Sequence, residues 1–260
     1  MIEKSEITIP ELSGDAPRRV YVYLPDSYED EPERRYPVLY MFDGHNVFFD
    51  EDATYGKSWG LGEYLDFTEA PLIVAAVECN HSPDNGRLSE YSPYDFRDKV
   101  FGAVHGRGRE TMDWYVNEFK PWVDENFRTL PDRAHTFIAG SSMGGLMSLY
   151  AVLACNEVFS RAAALSPSLW VAPAQLGQLI RTAQAAPDTV IYLDYGEREL
   201  NNHRRMRRLF SEATVRLMNR GFLVNSRLVP GGEHCEASWE QQIPFFMETL
   251  LYGLDDDGEA

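Results

Sequence analysis

Residues 137–148 read Phe-Ile-Ala-Gly-Ser-Ser-Met-Gly-Gly-Leu-Met-Ser, and inside them Gly140-Ser141-Ser142-Met143-Gly144 fits G-x-S-x-G with Ser142 at the centre. An apolar run, Thr136–Ala139, enters the pentapeptide and a helical pattern, Gly145–Glu157, leaves it. The pentapeptide alone is common and weak. Between a strand and a helix it becomes a nucleophile elbow, a turn so sharp that the residues flanking the serine must be small. Glycine at 140 and 144 meets that need and leaves Ser142 Oγ standing at a strand's C-terminal end.

Short apolar runs alternate with amphipathic patterns on both sides of the elbow. Strands are predicted at Val38–Phe42, Leu72–Val77, Thr136–Ala139, Ala162–Leu165, Val190–Asp194 and Leu223–Leu228. Helices are predicted at Glu110–Phe127, Gly145–Glu157, Ala174–Ala185, Glu199–Arg220 and Ala237–Tyr252. Before them, Glu6–Ile9 and Arg19–Leu24, separated by Ser13-Gly14-Asp15, read as an antiparallel pair at one sheet edge. The pattern predicts an α/β fold: a mainly parallel sheet covered by helices on both faces. Ligands of such sheets bind beyond the carboxyl ends of the strands, which places the chemistry on the loops there. No repeat or low-complexity linker divides the 260 residues, so one domain spanning 1–260 is expected, ending in a short acidic tail at 254–260.

Composition narrows the partners. The formal net charge of −17 disfavours nucleic acid and anionic membrane. No apolar run approaches the ~20 residues of a membrane span. Met1–Glu6 holds no signal-peptide apolar region, and a cytoplasmic protein is expected. Cys79, Cys155 and Cys235 are few and widely spaced, which suits packing thiols in a reducing compartment better than a disulfide framework or a metal site. Arg198, Arg204, Arg205, Arg207, Arg208, Arg216 and Arg220 gather in one predicted helix, and the default reading is a solvated face paired with local acids. A homo-oligomer is left open.

A serine hydroxyl needs a base, and the base an orienting acid, in the chain order Ser, Asp/Glu, His. Two histidines follow Ser142. His203 lies among arginines in a predicted helix. His234 follows the last predicted strand in Pro230-Gly231-Gly232-Glu233-His234, where paired glycines free the loop to turn the imidazole toward the elbow, and it is the preferred base. A helix-capping role near Ala237 is the alternative. The acid is one of Asp194, Glu197 and Glu199 after the fifth of the six strands, and residue chemistry does not separate the three. Two backbone N–H donors are needed for an oxyanion: Met143, and one from the loop Asp43-Gly44-His45-Asn46, where His45 or Asn46 would donate.

Six loose motifs occur in register: Asp43-Gly44-His45-Asn46-x-Phe48, Arg87-x-x-Glu90-Tyr91-x-Pro93, Gly140-x-Ser142-Met143-Gly144-Gly145, Ser166-Pro167-Ser168-x-Trp170, Gly196-x-x-Glu199 and Gly231-Gly232-x-His234. Together they resemble the Putative esterase family (esterase D / enterochelin-esterase-like) of alpha/beta-hydrolases, from about Arg19 to Tyr252. The resemblance implies an alpha/beta-hydrolase fold and an acid at the fourth position of Gly-x-x-Asp/Glu, Glu199. It implies the Asp43–Phe48 segment as the oxyanion-side loop, with His45 as second donor. It implies that Arg87 and Glu90 serve as a structural ion pair holding their loop, ahead of substrate contact.

Members of that family include siderophore trilactone, feruloyl and acetyl-xylan esterases, S-formylglutathione hydrolases and mycolyltransferases. Some carry a large insertion before the acid strand. Here Ser166–Val190 has room for about one short helix, so no large lid and an open cleft are expected. Asn46, Phe48, Arg87, Tyr91 and Trp170 are the candidate substrate contacts, and Phe49, Trp59, Tyr94 and Phe96 lie near them; the aromatics among these would line an apolar pocket, though most suit the core equally. The expected function is a serine carboxylesterase acting on a small ester (aromatic, short-acyl or siderophore-type), with no metal and no organic cofactor. The alternatives are an acyltransferase using the same acyl-enzyme and a non-catalytic binding module on the same fold.

Overall fold

The computed structural model describes residues 1–199 and 203–254. The acidic tail Asp255-Asp256-Asp257 lies outside the described residues, as do positions 200–202 of the helix expected from Glu199. The described residues form ten strands: β1 Ile2–Ile9, β2 Gly14–Tyr23, β3 Val38–Met41, β4 Ile73–Val77, β5 Phe96–Asp98, β6 Gly102–Val104, β7 Thr136–Ser141, β8 Arg161–Leu165, β9 Val190–Gly196 and β10 Leu223–Val229. Eight form one sheet in the order β1-β2-β4-β3-β7-β8-β9-β10, and β5 and β6 make a separate hairpin. β1, β2 and β4 pair antiparallel, while β4, β3, β7, β8, β9 and β10 run parallel. This is the expected alpha/beta-hydrolase architecture, with an antiparallel N-terminal margin.

The alternation of side chains along the strands builds two cores. Val38, Tyr40, Ile73, Ile138, Ala162 and Ile191 face one cluster, and Leu39, Met41, Val74, Phe137, Ala163 and Tyr192 face the other. Both faces of the central strands are therefore apolar, which is why they read as continuous hydrophobic runs. The helix His203–Asn219 instead shows one apolar stripe, with Met206, Leu209, Phe210, Ala213 and Leu217 buried. Its arginines take the outer face, where Arg208 and Arg216 each stand 3.5 Å from Glu212.

Several segments differ from the sequence-based expectation, among them the helix Leu61–Thr68, where no element was foreseen. The helix foreseen at Glu110–Phe127 is three pieces, Gly108–Trp114, a π-helical turn Tyr115–Phe119, and Lys120–Asn126. The one foreseen at Ala237–Tyr252 is two, Glu236–Glu240 and Ile243–Leu251. Pro244 has no N–H to give, so the chain cannot continue one hydrogen-bond ladder through it. The hairpin β5–β6 and the short helix Gly86–Glu90 occupy a stretch in which no element was foreseen. Between β8 and β9 stands the single helix Pro173–Thr182, so nothing the size of a lid domain sits there. Among the described residues, no helix is long and apolar enough to cross a membrane.

Candidate active site

β7 ends at Ser141, and Ser142 sits at φ 58°, ψ −116° before the helix Met143–Ala154 begins. A positive φ is costly for a residue with a Cβ, and it persists here because its surroundings over-determine it. The crossing of strand and helix is tight: a Cβ on Gly140 would lie 2.8 Å from the Gly144 carbonyl carbon. Ser142 N–H donates to the Leu165 carbonyl at 2.9 Å, and Ser168 N–H donates to the Ser142 carbonyl at 2.9 Å. The elbow is thus pinned to the loop after β8.

The loops after β9 and β10 meet beside it. A Cβ on Gly196 would lie 2.5 Å from the Gly232 carbonyl oxygen, and Arg198 N–H donates to that oxygen at 2.8 Å. This contact brings His234 and Glu199 together. His234 Nε2 is 2.9 Å from Ser142 Oγ, and His234 Nδ1 is 3.1 Å from Glu199 Oε2. Glu199 is 1% exposed. Its other oxygen accepts from Gly196 N–H at 2.8 Å and from Ser166 Oγ. Trp239 packs edge-on to the imidazole with centroids 5.1 Å apart and donates Nε1–H to Ser166 Oγ at 3.0 Å. Hydroxyl, imidazole and carboxylate form one hydrogen-bonded chain, an arrangement able to take a proton from Ser142 and hold the resulting imidazolium. His203, the rival base, heads the helix His203–Asn219.

The two other acids have different employment. Glu197 Oε2 accepts from Gly231 N–H at 3.0 Å. Asp194 is buried, accepting from Ser166 N–H at 2.8 Å and from the Tyr192 hydroxyl at 3.1 Å. Burial pushes its carboxyl up to about 7, against the pull of those two donors. The unfolded carboxyl titrates near 3.9, so between about pH 4 and 7 the folded chain binds the extra proton. Stability from this group is fully present below about pH 4 and is lost as pH rises to about 7, a cost of up to about 4 kcal/mol. Asp194→Asn keeps the oxygen for Ser166 and is expected to flatten that slope. Urea unfolding at pH 4.5, 6 and 7.5 checks it, and an unchanged slope would count against the assignment.

On the opposite wall, Asp43 sits at φ 57° after β3, and Gly44–Asn46 form a single 3₁₀ turn. Asn46 N–H is taken by the Asp43 carbonyl at 2.8 Å, and Asn46 Oδ1 by Thr54 N–H at 2.9 Å. The His45 and Met143 N–H groups have no acceptor among the described residues. Arg87 grips Asp43 with both ends of its guanidinium, at 2.7 and 2.6 Å. Burial raises the Asp43 carboxyl, but Arg87 outweighs it and the net shift is downward.

Arg87 and Glu90 both form ion pairs, with different partners. Glu90 Oε1 lies 2.7 Å from Arg18 Nη1 with both side chains buried. Arg18→Met strands that carboxylate and is expected to cost about 3–5 kcal/mol in denaturant unfolding. Arg18→Met combined with Glu90→Leu should recover most of the loss. A single mutant as stable as wild type would show the pair to be idle.

The cleft between these walls has a volume of about 490 Å³. Ser142, His234, His45, Asn46 and Arg87 line it. Three expected contacts do not. Phe48 is buried in the core against Tyr21 and Tyr23. Tyr91 is fully buried, its hydroxyl accepting from Asp43 N–H at 3.1 Å. Trp170 packs edge-on against Phe96, outside the cleft. Phe49, Trp59 and Tyr94 likewise contribute no wall, so the anticipated aromatics do not line the cleft, and its aromatic wall comes from Trp239 and Tyr55. The actual lining is polar, including Thr54, Asn80, His81, Ser82 and Glu236, with Tyr55 81% exposed at the rim.

Residues 13–252 match the family model described as Putative esterase. The chain belongs to the Putative esterase family. Uncharacterized protein YbbA of Bacillus subtilis is 26% identical over 186 residues, 70% of this chain and 69% of that one. Esterase Rv1288 of Mycobacterium tuberculosis is 33% identical over 130 residues, 50% of this chain and 25% of that longer protein. The structure of siderophore hydrolase EstA from Aspergillus nidulans superposes with a TM-score of 0.73 at 19% identity, covering 96% of this chain and 95% of that one. At that identity the likeness shows the shared fold. The family supports an esterase, and the shared fold is that of the alpha/beta-hydrolases.

Several site residues carried no role in the sequence reading. Ser166 and Ser168 appeared only as part of a motif, yet Ser166 ties Glu199 to Trp239 and Ser168 Oγ lies 3.5 Å from Ser142 Oγ. Their signal was the Ser-Pro-Ser turn directly after a strand, where a backbone reversal faces the elbow.

Proposed function

We propose that this esterase is a serine carboxylesterase working through an acyl-enzyme on Ser142. The observation that carries the reading is the continuous chain Ser142 Oγ–His234–Glu199, at 2.9 and 3.1 Å, opening into a polar cleft. His234 takes the Ser142 proton as Oγ attacks the ester carbonyl, then returns it to the leaving alcohol. Glu199 holds the imidazole in the tautomer whose Nε2 is free to accept, and stabilises the cation. The N–H groups of Met143 and His45 receive the oxyanion. Water deprotonated by His234 then releases the acid and frees Ser142.

The lining favours a small ester with polar or hydrogen-bonding substituents over a long acyl chain, because the cleft has few apolar walls to offset desolvation. Incubation with a fluorophosphonate is expected to add one phosphonyl group to the peptide carrying Ser142, read by mass spectrometry. Hydrolysis of short polar acyl esters should exceed that of long-chain esters. Labelling elsewhere, or equal labelling of Ser142→Ala, would overturn the nucleophile.

A further inference from the structure

One wall of the cleft carries a group of donors that the ester chemistry leaves unused. His45, Cys79 and His81 each offer a ligand atom, all within 4.8 Å of one another. Each ring is oriented from behind through its Nε2. His45 Nε2 lies 3.0 Å from Thr54 Oγ1, and His81 Nε2 lies 2.9 Å from Glu78 Oε1, a carboxylate itself held by Arg19 at 2.8 Å. With the Nε2 protons donated to these oxygens, the lone pairs fall on Nδ1 in both rings. His45 Nδ1 is buried and has no hydrogen-bond partner. His81 Nδ1 faces Cys79 Sγ at 4.0 Å. An acceptor behind each imidazole is the outer shell that fixes metal-binding histidines.

We propose that His45 Nδ1, Cys79 Sγ and His81 Nδ1 form a site for a borderline-soft divalent cation of the zinc class on the wall of the Ser142 cleft, and that the bound ion obstructs it. Two imidazoles and one thiolate suit such an ion better than magnesium or calcium. Donors around a tetrahedral ion stand about 3.3–3.8 Å apart, so the group closes by about an ångström. His81, whose side chain is 54% exposed, is free to make that move. Binding forms one sulfur–metal and two nitrogen–metal bonds and releases the Cys79 proton to solvent, with no change of oxidation state. The fourth position opens on the cleft, beside the His45 N–H assigned to the oxyanion. The obstruction rests on that assignment; the binding does not.

Cobalt(II) titration of the full chain separates the two. One equivalent is expected to give a thiolate-to-cobalt charge-transfer band in wild type and in Cys235→Ser. The band should vanish in Cys79→Ser and need at least about tenfold more cobalt in His81→Ala. Absence of the band in wild type, its persistence in Cys79→Ser, or its loss in Cys235→Ser overturns the site. Zinc should inhibit p-nitrophenyl acetate hydrolysis reversibly, with EDTA restoring the rate. Measured against its own metal-free rate, His81→Ala should need at least about tenfold more zinc. Equal sensitivity in the two proteins overturns the obstruction, and a chain without esterase activity still reports binding through cobalt.

Discussion

Ser142→Ala is expected to lower kcat for ester hydrolysis by about 10⁴–10⁶-fold while leaving KM within a few-fold of wild type. The hydroxyl lies 2.9 Å from the His234 imidazole, and the other residues that line the cleft stay in place in the variant. The residual rate would come from the Met143 and His45 N–H groups acting on a water-attacked carbonyl. Alanine keeps the Cβ at φ 58°, so the fold should persist and circular dichroism should be unchanged. A variant within tenfold of wild type would end the acyl-enzyme reading.

Glu199→Gln is expected to lower kcat by about 10³–10⁴-fold with the fold intact. The carboxylate uses one oxygen for Gly196 N–H and Ser166 Oγ and turns the other to His234 Nδ1. A glutamine must keep its oxygen on the Gly196 side, which points its NH₂ at Nδ1. That selects the imidazole tautomer with hydrogen on Nε2, which cannot accept the Ser142 proton. Glu197→Gln should stay near wild type, because among the described residues the Glu197 carboxylate accepts only from Gly231 N–H. Steady-state kinetics of the two variants decides between them: a wild-type rate for Glu199→Gln with a crippled Glu197→Gln would reverse the assignment.

The central strands were legible because burial on both faces leaves apolar runs such as Ile73–Val77 and Thr136–Ala139 with nothing polar to interrupt them. Ser142 was legible because a sharp turn restricts its flanks to glycine. Residue chemistry left Asp194, Glu197 and Glu199 equal, since all three lie at or just beyond the end of one predicted strand; family resemblance favoured Glu199, which stands 3.1 Å from His234 Nδ1. The aromatic contacts failed for a definite reason. Phe48, Tyr91 and Trp170 sit in or beside irregular segments, where no period of 2 or 3.6 tells which way a side chain points; Phe48 and Tyr91 turned inward, and half-buried Trp170 turned to Phe96. The π-helical turn at Tyr115–Phe119 was invisible because it continues directly from one α-helix into the next, and one widened turn leaves the helical pattern of the sequence nearly unchanged. Long-range pairs such as Arg18 with Glu90 lie 72 residues apart and leave no local trace.

The contact between Gly196 and Gly232 has a dynamic consequence. Ser142 projects from the middle of the sheet, whereas Glu199 and His234 hang from β9 and from β10, which is the last strand of the sheet among the described residues. Marginal strands open at lower free energy than central ones. Because their loops are stitched backbone to backbone, acid and base would leave the serine together, as one unit, when that margin loosens. The enzyme would fall silent well before its core melts, and its working range would be set by the adhesion of one edge strand, while the many buried side chains beneath Ser142 would set only how long the folded shell outlives its activity.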